Sequence, residues 1–294
     1  MVAAAVSRDA PAADRIGFIL RDRWVGHPQG AAALGRLGEL LRGARRTRMP
    51  SLLIFGEPDV GKTTILKKFM RGRGPSFDER AGVASAEVVA VEAPPEADGA
   101  RFHAVVLDAI EAPMPGGRAV DLERGVHGQP RRLGTRLLVV DETNNLVIGG
   151  ATAQRKTLAA LRRLANQVPL SIAFLGTAEA LNALTSDPQV EGRSQPFRPT
   201  RFRNDEAYAT VVRSVVAHLP LRGASEVDDA FVDAVHDLTG GSPGKTFRLL
   251  NFAGVHAIDR GDERLRAAAL RSDDVVRHIQ TAGAMRRRAR AGPG

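Results

Sequence analysis

The chain has 294 residues, 43% of them hydrophobic, which is enough for one large α/β domain with a small second domain. It contains no cysteine, which excludes a disulfide framework and a zinc–thiolate centre. Forty-two basic against 33 acidic residues leave a formal charge of +9, and the isoelectric point is near 10.9. That is the electrostatic profile of a protein that meets a polyanion; a compositional bias toward arginine is the competing reading.

No stretch approaches the roughly 20 uninterrupted apolar residues of a membrane span, and residues 1–15 lack the basic-then-apolar order of a signal sequence. With the missing cysteine, this reads as a cytoplasmic protein with no membrane partner.

Residues 1–48 read as an extension: an Ala-rich tail, then an amphipathic helix carrying Leu34, Leu37, Leu40 and Leu41, then a basic run of Arg42, Arg45, Arg46 and Arg48. Short apolar runs at 51–55, 87–91, 136–140 and 170–175, with a further strand at 198–202, predict five strands. Helical stretches at 61–71, 101–110, 152–167 and 177–184 alternate with them, the pattern that builds a parallel sheet, and a Pro/Gly-rich connection falls at 113–117. From residue 204 on the pattern is helical only, at 205–219, 227–239, 244–260 and 272–282. The expected division is therefore an N-terminal extension over 1–48, an α/β nucleotide-binding domain over 49–203, and a helical domain over 204–284, hinged near residue 203. The segment 285–294, with four arginines and no acid, is expected to be a disordered tail.

Gly56-Glu57-Pro58-Asp59-Val60-Gly61-Lys62-Thr63 fits the phosphate-loop pattern G-x-x-x-x-G-K-[ST] between a predicted strand and a predicted helix. Its glycines let backbone N–H groups wrap phosphates, and the helix N-terminus adds positive potential. Lys62 is expected to reach the β- and γ-phosphates of ATP and the Thr63 hydroxyl to ligate Mg²⁺, with Thr64 following in the same turn. Leu137-Leu138-Val139-Val140-Asp141-Glu142 sets two carboxylates at the C-terminal end of a buried strand, where ligands of open α/β sheets collect. Asp141 is expected to hold Mg²⁺ through water and Glu142 to orient and deprotonate the attacking water.

Four weaker signals have plain alternatives. Thr177 ends the fourth strand, where a hydroxyl can sense the γ-phosphate or simply cap the next helix. Arg193, in a Gly-flanked loop, is placed to reach a neighbouring subunit's phosphate or to sit in solvent. Gly241-Ser242-Pro243-Gly244-Lys245 opens a helix on which Lys245 and Arg248 stand one turn apart, which either faces the nucleotide or is an ordinary helix start. Arg118, Arg124, Arg131 and Arg132 offer sequence-independent contacts to a duplex DNA backbone, or form a solvated basic surface.

The order phosphate loop, Asp-Glu, polar residue after the fourth strand, arginine and helical lid resembles the AAA+ ATPases. Four segments are similar to one branch of them in particular, the TniB transposition regulators, related to TnsC and more distantly to MuB. They are residues 19–25 (Ile-Leu-Arg-Asp-Arg-Trp-Val), 48–54 (Arg-Met-Pro-Ser-Leu-Leu-Ile), Val139-Val140-Asp141-Glu142 followed by Asn145-Leu146, and 175–180 (Leu-Gly-Thr-Ala-Glu-Ala). The resemblance spans residues 15–260 or so. The chain departs from the family in Glu57-Pro58-Asp59-Val60 where an Asn-rich loop is usual, in Thr143 where His is frequent, and in Gly244 where many AAA+ lids carry a sensing arginine.

The resemblance implies a five-stranded parallel AAA+ sheet followed by a small helical lid, with Trp24 and Val25 near the adenine and Arg193 acting in trans. It implies a slow, DNA- or partner-stimulated, Mg²⁺-dependent ATPase that forms a homo-oligomer, ring or helical filament, on target DNA without reading sequence. It further implies recruitment of a transposase, with a target-selection protein as a possible second partner, and disassembly on hydrolysis. Two alternatives stay open: a nucleotide-stabilised protein-binding scaffold, motivated by Gly244, and a secretion or signalling AAA+ ATPase with no DNA role.

Overall fold

A computed structural model of the chain describes residues 6–277 except 97, 113–115, 117, 149–150, 187 and 276. The expected tail at 285–294, much of the expected helix at 272–282 and most of the connection at 113–117 lie outside the described residues.

In chain order the elements are α1 (Ala12–Leu20), α2 (Pro28–Arg42), β1 (Ser51–Phe55), α3 (Lys62–Met70), β2 (Ser76–Asp78), β3 (Val83–Ser85), β4 (Val88–Glu92), α4 (Gly99–Ala109), α5 (Ala119–Arg132) and β5 (Leu137–Asp141). A 3₁₀ turn (Thr143–Val147) follows, then α6 (Ala151–Gln167), β6 (Ser171–Gly176), α7 (Ala178–Thr185), α8 (Pro188–Glu191), β7 (Ser194–Phe197), α9 (Glu206–Ala217), α10 (Asp229–Thr239), α11 (Pro243–Asp259) and α12 (Ala267–Leu270). These form two compact units, one over Pro28–Pro199 and one joining the residues up to His27 with those from Thr200 on. Among the described residues no helix is long and apolar enough to cross a membrane.

The first unit is built on a five-stranded parallel sheet in the order β4-β5-β6-β1-β7. All of β5 and β6 is buried, as the uninterrupted apolar runs require of strands covered on both faces. Leu138, Val140, Ile172 and Phe174 pack there against Phe102 and Val106 of α4, Leu122 and Val126 of α5 and Leu161 and Leu164 of α6. Arg136 ties α2 to the sheet by donating to the carbonyls of Leu41 (2.8 Å) and Gly43 (2.6 Å), a cation at a helix C-terminus.

The fifth strand is Ser194–Phe197, four residues before the predicted 198–202. Residues 198–202 lie past the strand, and Phe202 belongs to the other unit's core. Pro196, which cannot donate a ladder bond, is admitted because β7 is an edge strand. The exposed two-stranded hairpin β2–β3 and the helix α5 were not predicted as elements, although α5 carries Leu122, Val126 and Pro130 at helical spacing on its buried face.

In the second unit, α9 and α10 start on aspartate caps: Asp205 accepts from the Tyr208 amide and Asp228 from the Phe231 amide, each at 2.9 Å. Their core joins Tyr208, Val212, Phe231, Val235, Leu249 and Leu250 with Ile19 of α1. Helix α1, read from sequence as part of a tail, carries its apolar residues Ile16 and Ile19 one turn apart with Phe18 beside them. Gly254 on α11 has no side chain to hold Leu219 and Ile19 away; a Cβ there would lie 3.1 Å and 3.5 Å from their methyl groups. Arg15, 1% exposed, donates to both carboxylate oxygens of Glu263 at 2.7 Å and to the Pro220 carbonyl at 3.0 Å.

Candidate nucleotide site

The carboxyl edge of the parallel sheet brings the two sequence motifs together. Register pairs Glu92 with Asp141, Val140 with Phe174, and Gly176 with Phe55, so the ends of β4, β5, β6 and β1 form one row. The loop 56–61 leaves this row at β1, and the Gly56 amide donates to the Gly176 carbonyl at 3.2 Å. Gly61 adopts φ 90°, in the left-handed region that favours glycine, and turns the chain into α3. The Ile65 amide makes a helical bond to the Gly61 carbonyl at 2.9 Å. The amides of residues 62–64 therefore stand at the helix end, where helix geometry supplies no intrahelical acceptor.

Lys62 Nζ folds back over the loop and donates to the carbonyls of Gly56 and Glu57, both at 2.9 Å. Thr63 Oγ1 donates to Asp141 Oδ2 at 3.0 Å, linking α3 to β5 across 78 residues of sequence. Asp141 is 9% exposed; burial raises its carboxyl above the ordinary range, opposed by the bonds from the Glu142 amide and the Thr63 hydroxyl. Glu142 is exposed and adopts φ 49°, ψ 41°, a left-handed conformation that costs a non-glycine residue of order 1 kcal/mol and recurs at functional sites. Its amide donates to Asp141 Oδ1 at 2.9 Å.

Two residues that the sequence reading gave no role hold this corner. Thr143, 1% exposed, donates its hydroxyl to the Leu175 carbonyl at 2.8 Å and lies where a side chain at position 176 would be, so Gly176 is the complement of Thr143. Asn145 Nδ2 donates to the Ala93 carbonyl at 3.0 Å, fixing the turn after Glu142 to the end of β4. The sequence signal for both was the polar run Thr143-Asn144-Asn145 after an apolar strand.

The other singled-out residues are distributed as follows. Thr177 follows β6 on the same sheet edge, and its hydroxyl accepts from the Ala180 amide at 3.4 Å, capping α7. Arg193 lies at the opposite edge: its carbonyl accepts from the Ser51 amide at the start of β1 (2.9 Å), and its guanidinium donates to Asn166 Oδ1 (2.9 Å). Arg118, Arg124, Arg131 and Arg132 all belong to α5 or its N-cap. Arg118 and Arg124 flank Asp121 at 2.8 Å and 3.9 Å, and Arg131 donates to the Gln167 carbonyl. Trp24, Val25 and Lys245 belong to the helical unit, where Trp24 lies against the His27 ring at 5.7 Å and Val25 packs on the core.

A phosphate loop after β1, an acidic pair ending β5 and a strand inserted between them define a P-loop AAA+ ATPase fold. The fold is shared with the Aeropyrum pernix ORC1 protein in complex with DNA (TM-score 0.62, 17% identity, covering 91% of this chain and 69% of that one). It is shared also with the Aeropyrum pernix ORC2 protein in ADPNP–ADP complexes (TM-score 0.62, 18% identity, 89% and 70%) and with Cdc6p from Pyrobaculum aerophilum (TM-score 0.54, 14% identity, 84% and 67%). At these identities the likeness is one of fold. The family profile of the bacterial TniB protein matches residues 15–204, which is 190 of the 294 residues, and the chain belongs to the TniB family. No curated protein matches the sequence.

Proposed function

We propose that the protein is an ATP-dependent regulator of DNA transposition that assembles on duplex DNA without reading its sequence, recruits a transposase, and disassembles on hydrolysis. The observation that carries the ATPase part is the 3.0 Å bond between Thr63 and Asp141 at the mouth of the phosphate loop. These are two hard oxygen donors, a hydroxyl and a buried carboxylate, and they fit Mg²⁺. Bound there with ATP, the ion neutralises charge on the phosphates.

The chain's own residues then divide the work. The amides of residues 62–64 at the start of α3 and the Lys62 side chain hold the β- and γ-phosphates, with Lys62 exchanging its two carbonyl partners for phosphate oxygens. Glu142 holds a water in line and takes its proton, and Thr177, on the same sheet edge, contacts the γ-phosphate or that water. Arg193 cannot serve this site within one chain, since β1 separates the two, and it acts on the site of a neighbouring copy. The roles of Trp24, Val25 and Lys245 toward the nucleotide remain part of the proposal.

The DNA part is supported by family membership, by the +9 charge and by the row of arginines on α5. Exposed pairs such as Arg118–Asp121 contribute little to stability, so exchanging the carboxylate for a DNA phosphate costs little. Steady-state phosphate release with and without duplex DNA tests the reading, with Lys62→Ala as the control. Slow turnover that rises with DNA and vanishes in Lys62→Ala is expected; ATP binding with no turnover under either condition would leave a scaffold instead.

A further inference from the structure

At the amino edge of the sheet, beneath the start of β1, lies a cleft of about 670 Å³ whose lining includes Arg46, Thr47, Arg48, Asn166 and Arg193. No carboxylate lines it among the described residues. The segment carrying two of these arginines is fixed, because Met49 is 4% exposed and its Sδ accepts from the Arg46 amide at 3.2 Å. The third is steered by Asn166 at 2.9 Å. Three arginines lining a concave, acid-free surface form a site for an anion with several oxygens, which the planar donor forks of guanidinium groups match.

We infer that Arg46 and Arg48 join Arg193 in one receptor for the polyphosphate of a nucleotide held by a second copy of this chain. The inference rests on the nucleotide reading above and extends its trans contact from one arginine to a three-arginine cleft.

The cleft cannot serve its own chain's nucleotide. Ser51, bonded to Arg193, and Gly56, where the phosphate loop begins, stand at opposite ends of β1, roughly 17 Å apart at the rise of a strand. One end of the same strand thus offers a phosphate-holding loop and the other a phosphate-seeking cleft. A head-to-tail, heterologous contact between copies joins the two, and such contacts generate rings or filaments. A duplex backbone is the less suited ligand, because a concave site takes a projecting group, whereas the arginines of α5 stand on the exposed face of a helix.

The test mixes two variants and reads assembly by sedimentation with a non-hydrolysable ATP analogue. Lys62→Ala removes the phosphate loop's only cationic side chain but keeps the cleft; R46A/R48A removes two of the cleft's three arginines but keeps the loop. The expected result is assembly of the wild type, monomers for either variant alone, and an analogue-dependent 1:1 pair in the mixture. R46K/R48K, which keeps the charges, is expected to restore part of the assembly.

Wild-type-like assembly of R46A/R48A would overturn the inference, as would a mixture that stays monomeric while the wild type assembles. Should R46A/R48A assemble normally but lose more than tenfold in duplex affinity, the cleft takes nucleic-acid phosphates and the inference is equally wrong. A wild type that fails to bind the analogue defeats the nucleotide reading itself, and this inference with it. If the double variant does not bind the analogue, the single variants Arg46→Ala and Arg48→Ala take its place in the mixture.

Discussion

Glu142 is exposed, and its backbone is left-handed, a conformation uncommon in a non-glycine residue. The conformation turns the chain sharply after β5, leaving the Asp141 carboxylate toward Thr63 while the Glu142 side chain is free to meet a water. Glu142→Gln keeps shape and backbone while removing the base. We expect phosphate release to fall by about 100-fold or more with ATP binding retained, and the protein to stay trapped on DNA. A fluorescent-ATP titration beside the phosphate assay checks this, and loss of ATP binding would remove Glu142 from the role of base.

Gly176 gives a second test at this scale. An added methyl group meets the Thr143 hydroxyl, so Gly176→Ala must displace Thr143 from the Leu175 carbonyl and disturb the turn beside Glu142. Overpacking of this kind costs about 1–3 kcal/mol; urea unfolding together with turnover should show both stability and hydrolysis lowered. Unchanged values in both would mean that Thr143 does not hold the corner. The motifs 56–63 and 141–142 were legible in the sequence because each is contiguous and its chemistry does not depend on a distant partner. The Thr143–Gly176 contact was not, since it depends on the parallel pairing of β5 with β6, whose ends lie 35 residues apart.

Among elements, four strands were read within a residue or so because each is an uninterrupted apolar run with no competing pattern. The edge strand β7 was misplaced because Ser-Gln-Pro-Phe has no such pattern and gains its strand character from pairing with β1. Helix α1 went unread because a nine-residue helix gains most of its stability from its tertiary neighbours. Here Ile19 meets the core of α9–α11, and the buried Arg15 pairs with Glu263.

That ion pair predicts a pH dependence. The bond from Arg15 holds the Glu263 carboxyl below its ordinary value. The stabilisation is therefore complete above the unfolded-state pKa, about 4.3, and is lost as pH falls through the depressed folded value. Glu263→Gln leaves a buried guanidinium without its counter-charge and should cost about 3 kcal/mol at neutral pH. Melting followed from pH 7 to pH 3 should show wild type and variant converging as the acid limit is approached. A constant gap across that range would contradict the assignment.

On the scale of the whole molecule, the proposed function draws on both edges of the sheet. Its carboxyl edge gathers the phosphate loop, Asp141, Glu142 and Thr177, and its amino edge gathers Arg193 with Arg46 and Arg48. A surplus of nine positive charges, part of it on α5, supplies attraction to a polyanion that any sequence of DNA satisfies. The amino edge was legible in the sequence only as a run of arginines, because a cleft is made by segments that fold together from 46–50, 166 and 188–193.

The measurement that bears most directly on the proposed function is electron microscopy of the purified protein with long duplex DNA and a non-hydrolysable ATP analogue, with Lys62→Ala alongside. Rings or filaments on the DNA that require the analogue and are absent from the Lys62→Ala grids are the predicted result. Bare DNA beside free particles, at concentrations where the protein binds the analogue, would contradict it.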